Sequence, residues 1–128
     1  MHRNGGGQVA NSASVQASVV VSGDSAVCGM AVVSDTTRLI NGSVVNGGAK
    51  ISGQSTISGS TVNGQAVVSD SVVTRSTLNG QATVSGSQVV NSTLNGQAVV
   101  TDATVTGSVL NGQASVISRS VKGAVLNN

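Results

Sequence analysis

Few side chains in this 128-residue chain could carry chemistry, and their spacing serves it poorly. The one histidine, His2, sits near the start among Arg3, Asn4 and three glycines. A general base or metal ligand at that place has no acid, thiol or second imidazole beside it to complete a site. A Ser-His-acid triad cannot be assembled convincingly around it. The acids are Asp24, Asp35, Asp70 and Asp102, with no glutamate. No two of them are spaced as a glycosidase carboxylate pair. Each stands beside a turn residue, where capping a corner is the expected role. Cys28 is the single cysteine, so no disulfide can form within the chain. It lacks a basic neighbour that would make it a nucleophile, and it points weakly to a reducing compartment. Arg3, Arg38, Lys50, Arg75, Arg119 and Lys122 are scattered, give a net charge of only +2, and come with no aromatic residue for base stacking. Neither a nucleic-acid nor a membrane partner is expected. No glycine run precedes a helix that could cradle phosphate. No catalytic residue, metal ligand or cofactor site is expected, and the chain reads as non-enzymatic.

The elements that must carry these residues are legible from a small residue followed two positions later by an aliphatic one. The pairs are Ala13/Val15, Val19/Val21, Ser25/Val27, Ala31/Val33, Thr37/Leu39, Ser43/Val45, Ala49/Ile51 and Ser55/Ile57, six residues apart, with Gly7/Val9 opening the series. Residues two apart on a strand share a face, so both members of each pair point inward. Gly, Asn or Asp follows and turns the chain. Three such sides close a triangular coil, and parallel stacking of coils satisfies the strand hydrogen bonds. A core of Val, Ala, Ser and Thr with no Phe, Tyr, Trp or Pro suits a narrow prism rather than a thick two-layer fold. The regular valines also argue against a disordered Ser/Gly/Asn chain.

The expected fold is therefore all-β: a single-stranded parallel β-solenoid of about seven coils. Residues 1–6 are read as a flexible N-terminal segment and 7–128 as one continuous solenoid. Coils are mainly 18 residues long at first and 16 after about residue 60, where the sides run six, five and five. The shorter sides are expected to lose a corner residue, not an inward one. Two breaks stand out. Arg119 falls on an inward position, and a local shift that buries Ser118 or Ser120 in its place is expected. Thr36-Thr37-Arg38 is a milder irregularity.

Between residues 9 and 57 an aliphatic residue is followed four positions later by a small one: Val15→Val19, Val21→Ser25, Val27→Ala31, Val33→Thr37, Leu39→Ser43, Val45→Ala49 and Ile51→Ser55. In this the chain resembles the hexapeptide-repeat left-handed β-helix superfamily, as a divergent member with shortened coils. The resemblance implies a left-handed triangular coil. It also brings trimeric acyltransferases and metal-dependent carbonic anhydrases into view. The histidines those chemistries need are missing here, as are the long substrate loop and C-terminal helix.

Stacking turns the repeat into columns. Asn46, Asn63, Asn79, Asn95, Asn111 and Asn127 recur at one corner, mostly in Asn-Gly-Gln, and are read as a structural ladder. Gln65, Gln81, Gln97 and Gln113 run beside them. The outward column next to the ladder is Val44, Thr61, Thr77, Thr93, Val109 and Val125, uncharged and β-branched. It is a candidate interface, together with Leu126 in the last partial coil. That coil shows no capping helix, so end-to-end stacking, a symmetric homo-oligomer, or excision from a longer protein is expected. Asn-Gly pairs are also expected to age chemically. The function read from all this is structural: self-assembly, spacing or surface attachment. The alternative is a glycan-, surface- or ice-binding solenoid, which would need a complete flat face of matched outward residues. The chain shows neither a secretory signal nor a long apolar span, consistent with a cytoplasmic location or export by another route.

Overall fold

The computed structural model describes residues 7–22 and 24–127; the proposed N-terminal segment 1–6, with His2, lies outside them. The described residues form a parallel β-solenoid of about seven coils with three sheets, of eight, seven and seven strands. One coil shows the plan: strands Thr77–Leu78, Thr83–Ser85 and Gln88–Val90 each pair with the strands one coil before and one coil after. No pairing slips. Leu78 lies against Leu94, Val84 against Val100 and Val89 against Val105. We call the sheet that contains Thr77–Leu78 the first, and those with Thr83–Ser85 and Gln88–Val90 the second and third.

The strands are two or three residues long, so each gives the core one aliphatic side chain and the preceding corner gives one small residue. From Val19 to Val116 the inward aliphatics are essentially sealed from solvent. Small and β-branched side chains succeed here because the prism leaves no thickness for aromatic rings. Ala66 and Val68 are buried, whereas Val67 is exposed and Ser69 partly so, as the two-residue period requires.

The change from 18 to 16 residues per coil takes place at two corners. Early coils turn through two residues, Asp35-Thr36 and Asn41-Gly42; later coils turn through one, Asp70 and Arg75. The inward pairs on either side are untouched. In the one-residue corners the turning residue takes positive φ, as in Asp70 (48°), Arg75 (49°), Asn91 (51°) and Asp102 (48°). Asn and Asp tolerate this left-handed region better than most residues. The tight turn keeps the backbone in register. Arg75 N donates to Ser58 O at 2.9 Å, and Asp102 N to Ser85 O at 2.9 Å.

Tight corners expose a second need, which the buried serines meet. Ser76 Oγ donates to Thr74 O (2.8 Å) and accepts the amide of Ser92 one coil on (3.1 Å). The same relay runs through Ser43, Ser60, Ser92 and Ser108 at one corner, and through Ser55, Ser71 and Ser87 at the other. A buried amide left without an acceptor would cost about 1–3 kcal/mol. At the third corner the small residue is alanine. There the turn itself supplies the acceptor at two places, Ala13 N donating to Ala10 O at 3.0 Å and Ala114 N to Asn111 O at 3.2 Å. Among the described residues, every buried side-chain polar atom has a partner.

Two expectations need correction. Arg119 causes no register shift: Ser120–Lys122 pairs in step with Thr104–Thr106, and Ser118, Arg119 and Ser120 are all exposed. Keeping the register preserves three ladder positions, while Arg119 avoids burial because no further coil covers it among the described residues. Thr37 is no irregularity either. It is fully buried, and its Oγ1 donates to Ser34 O (2.8 Å) and Gly53 O (3.3 Å).

Candidate functional site

The third corner and the sheet before it hold most of the residues singled out above. From Val44–Val45 to Val109–Leu110, each first-sheet strand ends in an inward aliphatic residue, the next residue turns out as Asn, and the glycine after it reverses the chain. Gly47, Gly64, Gly80, Gly96 and Gly112 all take positive φ, between 61° and 70°. They also touch one another. A Cβ placed on Gly80 would lie 2.8 Å from Gly96 O, and one on Gly64 would lie 2.6 Å from Gly80 O. This column requires glycine twice over, for conformation and for space.

The close stacking brings the asparagines into line. Asn46 Nδ2 donates to Asn63 Oδ1 (3.1 Å), Asn63 to Asn79 (3.1 Å), Asn79 to Asn95 (2.9 Å), Asn95 to Asn111 (2.8 Å) and Asn111 to Asn127 (2.6 Å). Donors point toward the C-terminal coil. The adjacent glutamines point the other way: Gln81 Nε2 donates to Gln65 (3.2 Å), Gln97 to Gln81 (3.1 Å) and Gln113 to Gln97 (3.0 Å). The two amide columns therefore run antiparallel, with their side-chain dipoles opposed.

Beside the asparagines runs the outward column of the first sheet. Val44, Thr61, Thr77, Thr93, Val109 and Val125 are paired in direct register from coil to coil. Val44 to Val109 are half-buried, and Val125 is 63% exposed. No charge interrupts the column. Leu126, in the last partial coil, is partly buried and packs against the core. Cys28 is half-buried and occupies the asparagine position one coil before Asn46.

The acids do not meet as a catalytic group. Asp35, Gly53, Asp70, Gly86 and Asp102 form one corner column, and the carboxylates fill the room the glycines leave. Asp35 Oδ2 accepts Gly53 N (3.0 Å) and Asp70 Oδ1 accepts Gln54 N (3.1 Å). A Cβ on Gly86 would sit 2.7 Å from Asp102 Oδ1. Asp24 is at the other corner, where the Ser22 hydroxyl (2.8 Å), its own amide and that of Gly42 hold its pKa below the ordinary 3.8. Among the described residues no three His, Cys, Asp or Glu side chains come together as metal ligands.

One surface depression, of about 330 Å³, is lined by Gly48, Lys50, Gln65 and Val67. It lies where Gly48 interrupts the glutamine column. Gln65 gives its Oε1 to Gln81, so its NH₂ group is left for this side, next to the Lys50 ammonium.

The buried serines were not singled out as polar devices by the sequence reading, which grouped them with alanine as small residues. The signal was present: serine recurs at 43, 60, 76, 92 and 108, with alanine only at 124 in the next coil, while alanine recurs at 49, 66, 82, 98 and 114. No protein-family model matches the chain, and no curated protein matches it in sequence.

Proposed function

We propose that this chain is a non-enzymatic structural β-solenoid, a rigid spacer that associates sideways with a second copy through the outward column of its first sheet. One observation carries the reading. Val44, Thr61, Thr77, Thr93 and Val109 lie in direct register on consecutive coils, uncharged and half-buried. At about 4.8 Å per coil this is a straight apolar-leaning strip roughly 20 Å long. Its asparagines satisfy one another, so they offer a second copy a smooth edge rather than competing hydrogen bonds.

Sideways contact is favoured over end-to-end stacking by Arg119. A coil laid on residues 108–127 would meet a guanidinium where Ala103, Ser87 and Ser71 stand in earlier coils. Arg119 Nη2 already reaches back to Ser115 O, at 3.4 Å. Charged side chains on a sheet edge are a common block to edge-to-edge pairing. The resemblance of residues 9–57 to the hexapeptide-repeat superfamily, rather than the spacing alone, is what supports a left-handed coil.

The test is a disulfide. In a Cys28→Ser background, Thr77→Cys is expected to give a cross-linked dimer under mild oxidation, and Gln88→Cys on the third sheet is expected not to. Equal cross-linking at both positions would overturn the reading.

A second reading, binding of a glycan or other polar ligand, is supported by the depression at Gly48, Lys50, Gln65 and Val67. It offers an ammonium and a free amide donor beside an apolar wall. Titration with neutral and acidic oligosaccharides, read as a shift in Lys50 or Gln65 side-chain resonances, distinguishes it from the first.

A further inference from the structure

Six Asn-Gly steps fall among the described residues: Asn41-Gly42, Asn46-Gly47, Asn63-Gly64, Asn79-Gly80, Asn95-Gly96 and Asn111-Gly112. Such steps cyclise spontaneously when glycine, with no side chain in the way, brings its amide nitrogen against the asparagine carboxamide carbon. The fold treats them unequally. Five belong to the third-corner ladder, where each Asn donates its Nδ2 hydrogen to the next coil's Oδ1. Four of these five also accept from the coil before. Their glycines are packed backbone to backbone, with Gly47, Gly64, Gly80 and Gly96 each within contact of the glycine that follows. Cyclisation at any of them requires the carboxamide to leave the column and the glycine to move against its neighbour.

Asn41-Gly42 is held by fewer contacts. It sits at a two-residue corner of the early, wider coils. Both residues are exposed, with φ of 56° and 75°. The Asn41 carboxamide has one bond, from Nδ2 to the Ser58 hydroxyl at 2.7 Å. Around a Cβ at Gly42 the nearest atoms are the Asp24 carbonyl and carboxylate oxygens, at 3.8 and 3.9 Å. The corner has room to move, and the Gly42 amide faces an acceptor for its proton.

We infer that Asn41-Gly42 is the site at which the folded chain modifies itself, by succinimide formation and conversion to aspartyl or isoaspartyl, while the amide ladder protects the other five. The step needs only water. The Gly42 nitrogen forms a bond to the Asn41 side-chain carbon and its proton passes to the Asp24 carboxylate or solvent. Nδ2 takes up a proton from the protonated Asp24 or from solvent, its bond to that carbon breaks, and it leaves as ammonia. Water then opens the ring on either side. The product places a negative charge on an exposed corner that already turns outward, so the coil persists. The same product inside the ladder would set a carboxylate against the next Oδ1 and break the column.

The experiment follows conversion at each asparagine by mass spectrometry with fragment-ion sequencing, together with enzymatic labelling of isoaspartate, in mildly alkaline buffer. It is run on the folded chain and on the same chain in denaturant. In denaturant the six steps are expected to convert at similar rates. In the folded chain Asn41 is expected to lead Asn63, Asn79 and Asn95 by about fivefold or more, the factor that one additional side-chain hydrogen bond of ordinary strength is worth, since each of those three loses two such bonds and Asn41 loses one. Asn41→Ser should remove most of the folded-state isoaspartate formed among these six, and Asp24→Asn should slow conversion at Asn41 without affecting it in denaturant. Comparable folded-state rates at Asn41 and Asn79, or an Asn41 that stays intact while the unfolded chain converts, would overturn the inference.

Discussion

Gly80 and Gly107 both turn corners with positive φ, at 69° and 57°, yet alanine should affect them very differently. At Gly107 a Cβ would meet nothing within 4 Å, so Gly107→Ala bears only the conformational penalty of a side chain in the left-handed region, about 1–2 kcal/mol. At Gly80 the same Cβ would lie 2.8 Å from Gly96 O and 3.2 Å from Gly96 N and Cα, all backbone atoms of the next coil. They cannot rotate away. Separating the coils would strain the Asn79–Asn95 bond and the neighbouring ladder bonds, and overpacking of this kind adds about 1–3 kcal/mol. The expected losses are therefore about 1–2 kcal/mol for Gly107→Ala and about 2–5 kcal/mol for Gly80→Ala. Asparagine sharpens the contrast, because Asn91 already occupies the Gly107 column with φ of 51°. Gly107→Asn should be close to neutral, and Gly80→Asn should be at least as harmful as Gly80→Ala. Denaturant unfolding followed by far-ultraviolet circular dichroism measures all four, with an unchanged slope confirming that the transition is the same one. Equal losses at Gly80 and Gly107 would refute the claim that the third corner is held by backbone-to-backbone packing.

Three more outcomes follow from the same geometry. Ser76→Ala removes the acceptor for the Ser92 amide and should cost about 1–3 kcal/mol in chemical denaturation. Asn79→Ala should break two ladder bonds and cost about 1–2 kcal/mol, with hydrogen exchange rising first at Asn63 and Asn95 rather than across the molecule. Asp24 has its folded pKa held below 3.8, so its contribution to stability is present above that value and is lost as pH falls through the folded value. Wild type should accordingly exceed Asp24→Asn in stability at neutral pH, the two should converge in acid, and an NMR titration should place the Asp24 carboxyl below its ordinary value.

The inward pattern was legible because a strand has a period of two and each coil repeats it, so Val68, Val84 and Val100 announce one another. The loss of corner residues was legible too. An inward pair cannot lose a member without turning its side inside out, so the shortening had to fall at the corners, where Gln54 is the last counterpart of Thr36 and Gly42 has none in later coils. Arg119 misled because a lone charge at an inward position suggested a slip. Three registered ladder positions outweigh one side chain that swings into solvent where no further described coil covers it. The serine relay was missed because size, not hydrogen-bond capacity, was taken to decide the small positions. The opposed directions of the Asn and Gln columns have no signature in the sequence, since a primary amide donates and accepts equally well. They emerge only when the corner sets one side chain pointing up the column and its neighbour down it.

The claim that the first sheet joins two copies is tested most directly by sedimentation velocity across a wide concentration range, at low and physiological salt. Wild type should pass from monomer to a discrete larger species as concentration rises, with little dependence on salt, and Thr77→Lys and Thr93→Lys should remain monomeric while keeping the wild-type circular dichroism spectrum. A wild-type chain that is monomeric throughout, or lysine variants that associate as strongly as wild type, would contradict it.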